Sequence, residues 1–135
     1  MKMKHFFLIA IAMVMTQAYA QTGVTKVTEK GEDYFITTKA NTNFIGLYKY
    51  EGKKEPIVQL NADGTGLFQL HGMPEKPMKW GIECDAKGVA KDIKVVWGSV
   101  YRLWYQVDGV WDIVQFSDHT DERILYILGE RTKKY

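Results

Sequence analysis

WGSVYRLWYQVDGVWDIVQF, at residues 97–116, is the most informative part of the chain. Two runs rich in β-branched and aromatic residues flank Asp108-Gly109, and such runs favour extended strands. A two-residue Asp-Gly connection is typical of the type I′ turn, whose twist suits an antiparallel hairpin. The segment therefore predicts a hairpin of Val100–Val107 with Val110–Phe116. Gly98-Ser99 predicts a second tight turn, of type II′.

The Asp108-Gly109 turn also fixes which residues oppose each other in this hairpin, and opposed residues share a face of the sheet. One face then carries the pairs Tyr101–Phe116, Leu103–Val114 and Tyr105–Asp112. The other face carries Arg102–Gln115, Trp104–Ile113 and Gln106–Trp111. Both faces are rich in apolar side chains. We expect the Trp104 face, together with Trp97, to be the more buried one and the Tyr101 face to point outward.

Short runs of this kind recur along the chain after residue 43. They are Ile45–Tyr50, Pro56–Leu60, Thr65–Leu70, Met78–Cys84, Ile93–Trp97, Val100–Val107, Val110–Phe116 and Arg123–Leu128. Two four-residue segments between them, Asn61–Gly64 and Asp85–Gly88, predict type I turns closed by a left-handed glycine. Tight turns make sequence neighbours into sheet neighbours. We therefore predict an all-β fold: an eight-stranded antiparallel up-and-down meander that closes into a small barrel or curls nearly shut, since closure removes exposed edges.

The first 20 residues are typical of a cleaved export signal. Lys2 and Lys4 precede an apolar run, Phe6–Met15. Ala18-Tyr19-Ala20 supplies the small residues of a cleavage site before Gln21. The apolar run has 10 residues, which is too short for a membrane span of about 20 residues. The sequence predicts a periplasmic or secreted protein that is not a lipoprotein, because no cysteine comes directly after the apolar run.

The segment 21–43 leaves two alternatives open. Val24–Thr28 and Tyr34–Thr38 form an extra hairpin across Lys30-Gly31, or the segment is a leader without regular structure. Residues 44–135 then form the single barrel domain. The chain contains no repeat, low-complexity tract or linker that would divide it further.

Charge and cysteine content exclude several classes of function. Without Lys2 and Lys4, 16 basic residues balance 16 acidic ones. A balanced charge provides no general attraction for nucleic acid or for an anionic membrane surface. The single cysteine, Cys84, can form neither an intrachain disulfide nor a cysteine-based metal cage. Its alternation with Trp80 and Ile82 along a strand predicts a buried thiol.

Three features resemble the calycin group, meaning the lipocalins and the lipocalin-like domains of small exported bacterial proteins. Gly46-Leu47-Tyr48 stands where that group has Gly-x-Trp, with Tyr48 in place of the tryptophan. Leu60–Gly66 is similar to an acidic, glycine-rich hairpin of those bacterial domains. Arg131 is similar to a basic residue that covers the barrel floor. The resemblance covers residues 43–133, and it implies a barrel that binds a small ligand or a protein.

The aromatic residues of the 101–116 hairpin are the candidate ligand-binding residues, because clustered Trp and Tyr side chains mark interaction sites. They are Tyr101, Tyr105, Trp104 and Trp111, with Asp112 beside Tyr105 as a polar group. We interpret Ser117–Glu122 as a solvated turn, since its oxygens and His119 lack calcium-loop spacing. His71 is interpreted as an ordinary loop residue.

Two functions from different classes remain. The first is an exported binding protein for a small apolar or aromatic molecule. The second is a protein-binding module, such as a periplasmic inhibitor or a subunit of an envelope complex, built on a solid barrel. No Ser, His and acid occur in a recognisable catalytic motif, so nothing in the sequence argues for an enzyme. The sequence predicts no metal or cofactor, and no stable insertion into a membrane.

Overall fold

The computed structural model describes residues 23–50, 56–70, 72–127 and 130–134. The predicted export signal and His71 lie outside these residues. The described residues form a 3₁₀ turn at Thr42–Phe44 and eleven strands. The strands are β1 (Val24–Glu29), β2 (Glu32–Thr37), β3 (Gly46–Tyr50), β4 (Pro56–Leu60), β5 (Thr65–Phe68), β6 (Lys76–Cys84), β7 (Asp92–Val95), β8 (Gly98–Val107), β9 (Val110–His119), β10 (Arg123–Ile127) and β11 (Glu130–Lys134). Within the described ranges, no helix is long and apolar enough to cross a bilayer.

Eight of the strands close into an antiparallel barrel, which confirms the predicted fold class. β3 to β6 pair in succession, as do β8 to β11. The β6–β8 pair and the β11–β3 pair complete the ring. The sequence predicted Ile93–Trp97 as a wall strand between Met78–Cys84 and Val100–Val107, but β6 pairs directly with β8 there, and the eighth wall strand is β11, between β10 and β3. Glu130–Lys134 is strongly charged, and its buried inward residue is the polar Thr132, so it lacks the apolar alternation of a strand.

β7 continues the line of β6 along one edge of β8. Leu103 of β8 lies between Ile82 of β6 and Val114 of β9. Tyr101 lies between Asp92 of β7 and Phe116 of β9. Between β6 and β7 the chain makes a short excursion that starts and ends at the Cys84–Ala90 bridge. The predicted Asp85–Gly88 turn closes this excursion, with the Gly88 amide donating to the Asp85 carbonyl at 3.0 Å.

The turn between β7 and β8 differs from the prediction. Val95 lies opposite Gly98, so the two loop residues are Val96 and Trp97, and the predicted II′ turn at Gly98-Ser99 is wrong. Gly98 is a strand residue with φ 151°. A Cβ at this position would overlap the carbonyl oxygen of Asp118. The glycine is therefore required by a close approach of two backbones and not by turn geometry.

The extra N-terminal hairpin forms. β1 and β2 pair across Lys30-Gly31, whose φ angles of 50° and 77° suit a type I′ turn. β2 then pairs with the end of β6, on the edge of β6 that faces away from β8, because Ile82 lies between Thr37 and Leu103. β5 occupies the earlier part of that same edge. The β1–β2 and β4–β5 hairpins therefore lie next to each other along one edge of β6.

The barrel interior is lined by the Leu103 face of β8 and β9. Every predicted residue pair of this hairpin is present, and Trp104, Trp111 and Ile113 lie on the side opposite Leu103 and Val114. The expectation that the Trp104 face would be the more buried is wrong. Both faces are apolar, and the one facing inward is chosen by how the sheet curls, which is not encoded locally.

The described inward side chains pack together inside the barrel. The buried rings form one cluster with aliphatic neighbours, and they are Phe44, Tyr48, Tyr50, Phe68, Trp80, Tyr105 and Phe116. Phe44 closes one end, with its ring centroid 4.6 Å from that of Phe116. The Tyr48 hydroxyl donates to the Phe44 carbonyl at 2.6 Å. Cys84 is buried as predicted, and burial raises the pKa of its thiol to about 11.

Candidate functional site

The outer face of β8 and β9 is covered by the β1–β2 hairpin. Trp104 is only 2% exposed, although it points away from the barrel interior. Val27, Tyr34 and Ile36 of the hairpin pack with it, and the Tyr34 ring centroid lies 4.7 Å from that of Trp104. Alternation along β1 and β2 directs these three side chains to the same face of the hairpin. The hairpin therefore forms a second, smaller apolar layer outside the barrel.

A buried carboxylate fixes the orientation of the Trp104 indole. Trp104 Nε1 donates to Glu83 Oε1 at 2.9 Å. Glu83 Oε2 lies 3.5 Å from the guanidinium of Arg102, whose side chain is mostly exposed. Glu83 is almost fully buried, and a buried carboxylate is tolerated only where such partners compensate it.

Trp111 lies at the edge of this layer and is partly exposed. Its ring meets Trp104 edge-on, with a centroid distance of 6.5 Å and an interplanar angle of 65°. Two clefts meet at Trp111. The first, here called the tip cleft, has a volume of about 440 Å³ and is lined by Glu29, Lys30, Glu32, Tyr34, Trp104, Trp111, Asp112 and Ile113.

The second cleft lies between the β1–β2 hairpin and the β4–β5 turn, and we call it the side cleft. Its volume is about 470 Å³. Trp80 and Trp111 line it together with small and polar residues, including Thr25, Thr38 and Asp63. It exists because β2 and β5 share one edge of β6 and their hairpins diverge from it. Compared with the tip cleft, it has fewer accessible aromatic surfaces.

The tip cleft carries an excess of carboxylates. Glu29 and Glu32 lie directly opposite each other at the end of the hairpin, on the face that carries Tyr34. Asp112 lines the cleft from the barrel side. The Tyr34 hydroxyl donates to Glu32 Oε2 at 2.7 Å, and this bond raises the pKa of Tyr34 because it favours the protonated phenol.

The five predicted ligand-binding residues are divided between two places. Trp104, Trp111 and Asp112 line the tip cleft. Tyr105 is buried in the barrel, and Tyr101 packs edge-on against Phe44 at its end, with ring centroids 5.1 Å apart. The Tyr105 hydroxyl donates to Asp112 Oδ2 at 3.3 Å, so Asp112 lies where the two places meet. Burial raises the pKa of Tyr105 to about 12.

No family model, curated protein or solved structure matches the chain. The site is therefore interpreted from its own chemistry. Sequence reasoning missed Tyr34, Glu29 and Glu32, because it left the 21–43 segment undecided. The two-residue spacing of Tyr34 and Ile36, which puts both on one face of the strand, was the available signal for a half-buried hairpin.

The remaining predicted features lie away from the clefts. His119 stacks on Trp97 with ring centroids 4.1 Å apart, at the opposite end of β8 and β9 from Trp111. Asp118 and Arg123 form a shielded ion pair at 3.0 Å. Arg131 lies within β11 and not after the last strand, with Nη2 3.5 Å from Glu122 Oε1. It lies on the face of β11 opposite the inward Thr132.

Proposed function

We propose that this protein is an exported, calycin-like binding protein for a small apolar or aromatic ligand, and that the ligand lies in the tip cleft against Trp111. The partly exposed Trp111 indole in a concave site carries this proposal. A volume of about 440 Å³ falls in the usual range of small-molecule sites. The barrel interior is packed with side chains, which favours a site outside it. Export rests on the charged, apolar and small-residue segments of the first 20 residues.

A fluorescence titration with the neutral aromatic probe N-phenylnaphthylamine tests the proposal. We expect saturable binding to the wild type and an affinity about tenfold lower for Trp111→Ala, because a lost aromatic contact is worth up to about 1.5 kcal/mol. Trp97→Ala is the matched control, since Trp97 is a partly exposed tryptophan at the other end of the hairpin. Equal binding by the wild type and Trp111→Ala, or no binding by either, would contradict the proposal.

A second candidate function, a protein-binding module, is favoured by one other observation. The exposed apolar side chains Val89, Ile93, Val96 and Trp97 lie on or beside β7, which is the last strand of the sheet. Exposed edges and apolar patches of this kind are typical of protein contacts. A photo-crosslinker at position 96 should then give one discrete adduct in cells, and Ile93→Lys should abolish it. A crosslinker at the exposed Thr28 is the control, and equal labelling from both positions would exclude this function.

A further inference from the structure

The tip of the β1–β2 hairpin brings two like charges together. Glu29 and Glu32 form the last residue pair before the turn. Directly opposed like charges destabilise an antiparallel pair. The alternation of side chains places both carboxylates on the face that looks toward Trp111, and both line the tip cleft. Opposite charges at this position would stabilise the hairpin. Lys26 and Asp33 form such a pair on its other face, with Lys26 Nζ 3.3 Å from Asp33 Oδ2.

Two basic residues lie near this pair of carboxylates. Among the described residues that line the tip cleft Lys30 is the one base, while the Asp112 carboxylate lies on the other face of β9, where it accepts from the Tyr105 hydroxyl. Lys30 is held in the turn itself at φ 50°. Arg102 pairs with the buried Glu83, and its positive charge also acts on the Tyr34 hydroxyl. The tip cleft therefore has an acidic rim, formed by Glu29 and Glu32.

The walls of the tip cleft consist of aromatic rings set at angles to one another. Tyr34 is inclined at 41° to Trp104, and Trp104 at 65° to Trp111. Trp104 forms the back, while Tyr34 and Trp111 are partly exposed. Cations are attracted to the faces of such rings, and aromatic cages of this kind recognise quaternary ammonium groups.

We propose that the ligand of the tip cleft carries an organic ammonium group, held against Tyr34 and Trp111 and balanced by Glu29 and Glu32. The inference rests on the proposed function and adds the chemical class of the ligand. An anion would meet the Glu29 and Glu32 carboxylates at the rim. A neutral apolar group would cover the same rings but would leave the Glu29–Glu32 repulsion in place.

Calorimetric titration with choline chloride tests the inference, using as comparison the neutral alcohol in which carbon replaces the quaternary nitrogen of choline. The two probes have nearly the same shape, so a difference in affinity reports the charge. We expect choline to bind at least about tenfold more tightly than the alcohol. The double variant Glu29→Gln/Glu32→Gln should lower the choline affinity about tenfold and leave the affinity for the alcohol unchanged.

Two features make the result decisive. Glutamine keeps an acceptor for the Tyr34 hydroxyl, so the hairpin retains its local hydrogen bond, and an unchanged melting temperature confirms that the variant is folded. Glu75→Gln removes an exposed carboxylate outside the tip cleft and should leave choline binding unchanged. Equal affinities for choline and the alcohol, or full choline affinity in the double variant, would overturn the inference but not the proposed function. Failure of choline, the alcohol and N-phenylnaphthylamine alike would overturn both.

Discussion

Trp104 connects three parts of the molecule through a single side chain. Its backbone belongs to the barrel wall, its ring is covered by the hairpin, and its indole N–H compensates the buried Glu83. A phenylalanine could retain much of the packing but none of the hydrogen bonding. Replacement of Trp104 by phenylalanine therefore distinguishes two contributions to stability, that of the apolar contacts and that of the hydrogen bond to the buried Glu83 carboxylate.

We predict that Trp104→Phe lowers the free energy of unfolding by about 1–3 kcal/mol, because Glu83 Oε1 loses its donor in a buried position. Chemical denaturation monitored by circular dichroism measures the change. Trp111→Phe is the control, since Trp111 is partly exposed, and its cost should stay within about 0.5 kcal/mol. Losses of equal size in the two variants would show that the Glu83 contact contributes little.

The β1–β2 hairpin owes its close fit to a glycine in the barrel wall. A Cβ at Gly81 would lie 2.7 Å from the Cβ of Ile36, which is closer than real contacts allow. The absence of a side chain at Gly81 lets Ile36 approach the barrel wall beside Trp104. Gly81 of β6 and Ile36 of the hairpin are therefore complementary in size at this contact.

Gly81→Ala is expected to destabilise the protein by about 1–3 kcal/mol through overpacking. Ile36→Ala also costs stability, because it removes buried apolar volume. The double variant should be less destabilised than the sum of the two single variants, since the shortened side chain makes room for the new methyl group. Thermal and urea unfolding of all four proteins measure this coupling. Strict additivity would contradict the proposed fit.

The sequence predicted those elements whose determinants are local. Asp108-Gly109 specifies its own turn, so the partners of Trp104 and Tyr105 followed correctly. Gly98 was wrongly predicted as a turn residue, because glycine occurs both in tight turns and where two backbones approach closely. The close approach here involves Asp118, which is distant in sequence, so the sequence around Gly98 does not reveal it. The positions of Glu29, Glu32 and Tyr34 depend on the pairing of β2 with β6. That pairing is determined by tertiary packing, so only the barrel side of the candidate site was predictable.

At the scale of the whole molecule, barrel closure depends on β11. It pairs with β3 on one edge and β10 on the other. The Thr132 hydroxyl inside the barrel donates to the Leu125 carbonyl at 2.9 Å. Without β11, both neighbouring strands would present unpaired edges to solvent, and such edges favour aggregation.

Deletion of residues 130–135 should therefore abolish the single cooperative thermal transition and promote aggregation. Circular dichroism and light scattering on heating measure the two effects. Removal of Tyr135 alone keeps β11 intact and serves as the control. A truncated protein that melts cooperatively near the wild-type temperature would show that the barrel closes without its eighth strand.

The hairpin is joined to β6 by three backbone pairs, whereas β8 and β9 share ten. Segments with few shared pairs open locally at a lower free energy than the whole fold. Each opening would move Glu29, Glu32 and Tyr34 away from Trp111, so that only the barrel side of the tip cleft would remain. The apparent affinity of a ligand then scales with the fraction of molecules in the closed state. Binding strength would then depend partly on how often the Phe35–Thr37 pairing with β6 opens, which amide hydrogen exchange measures, and not only on the groups that touch the ligand.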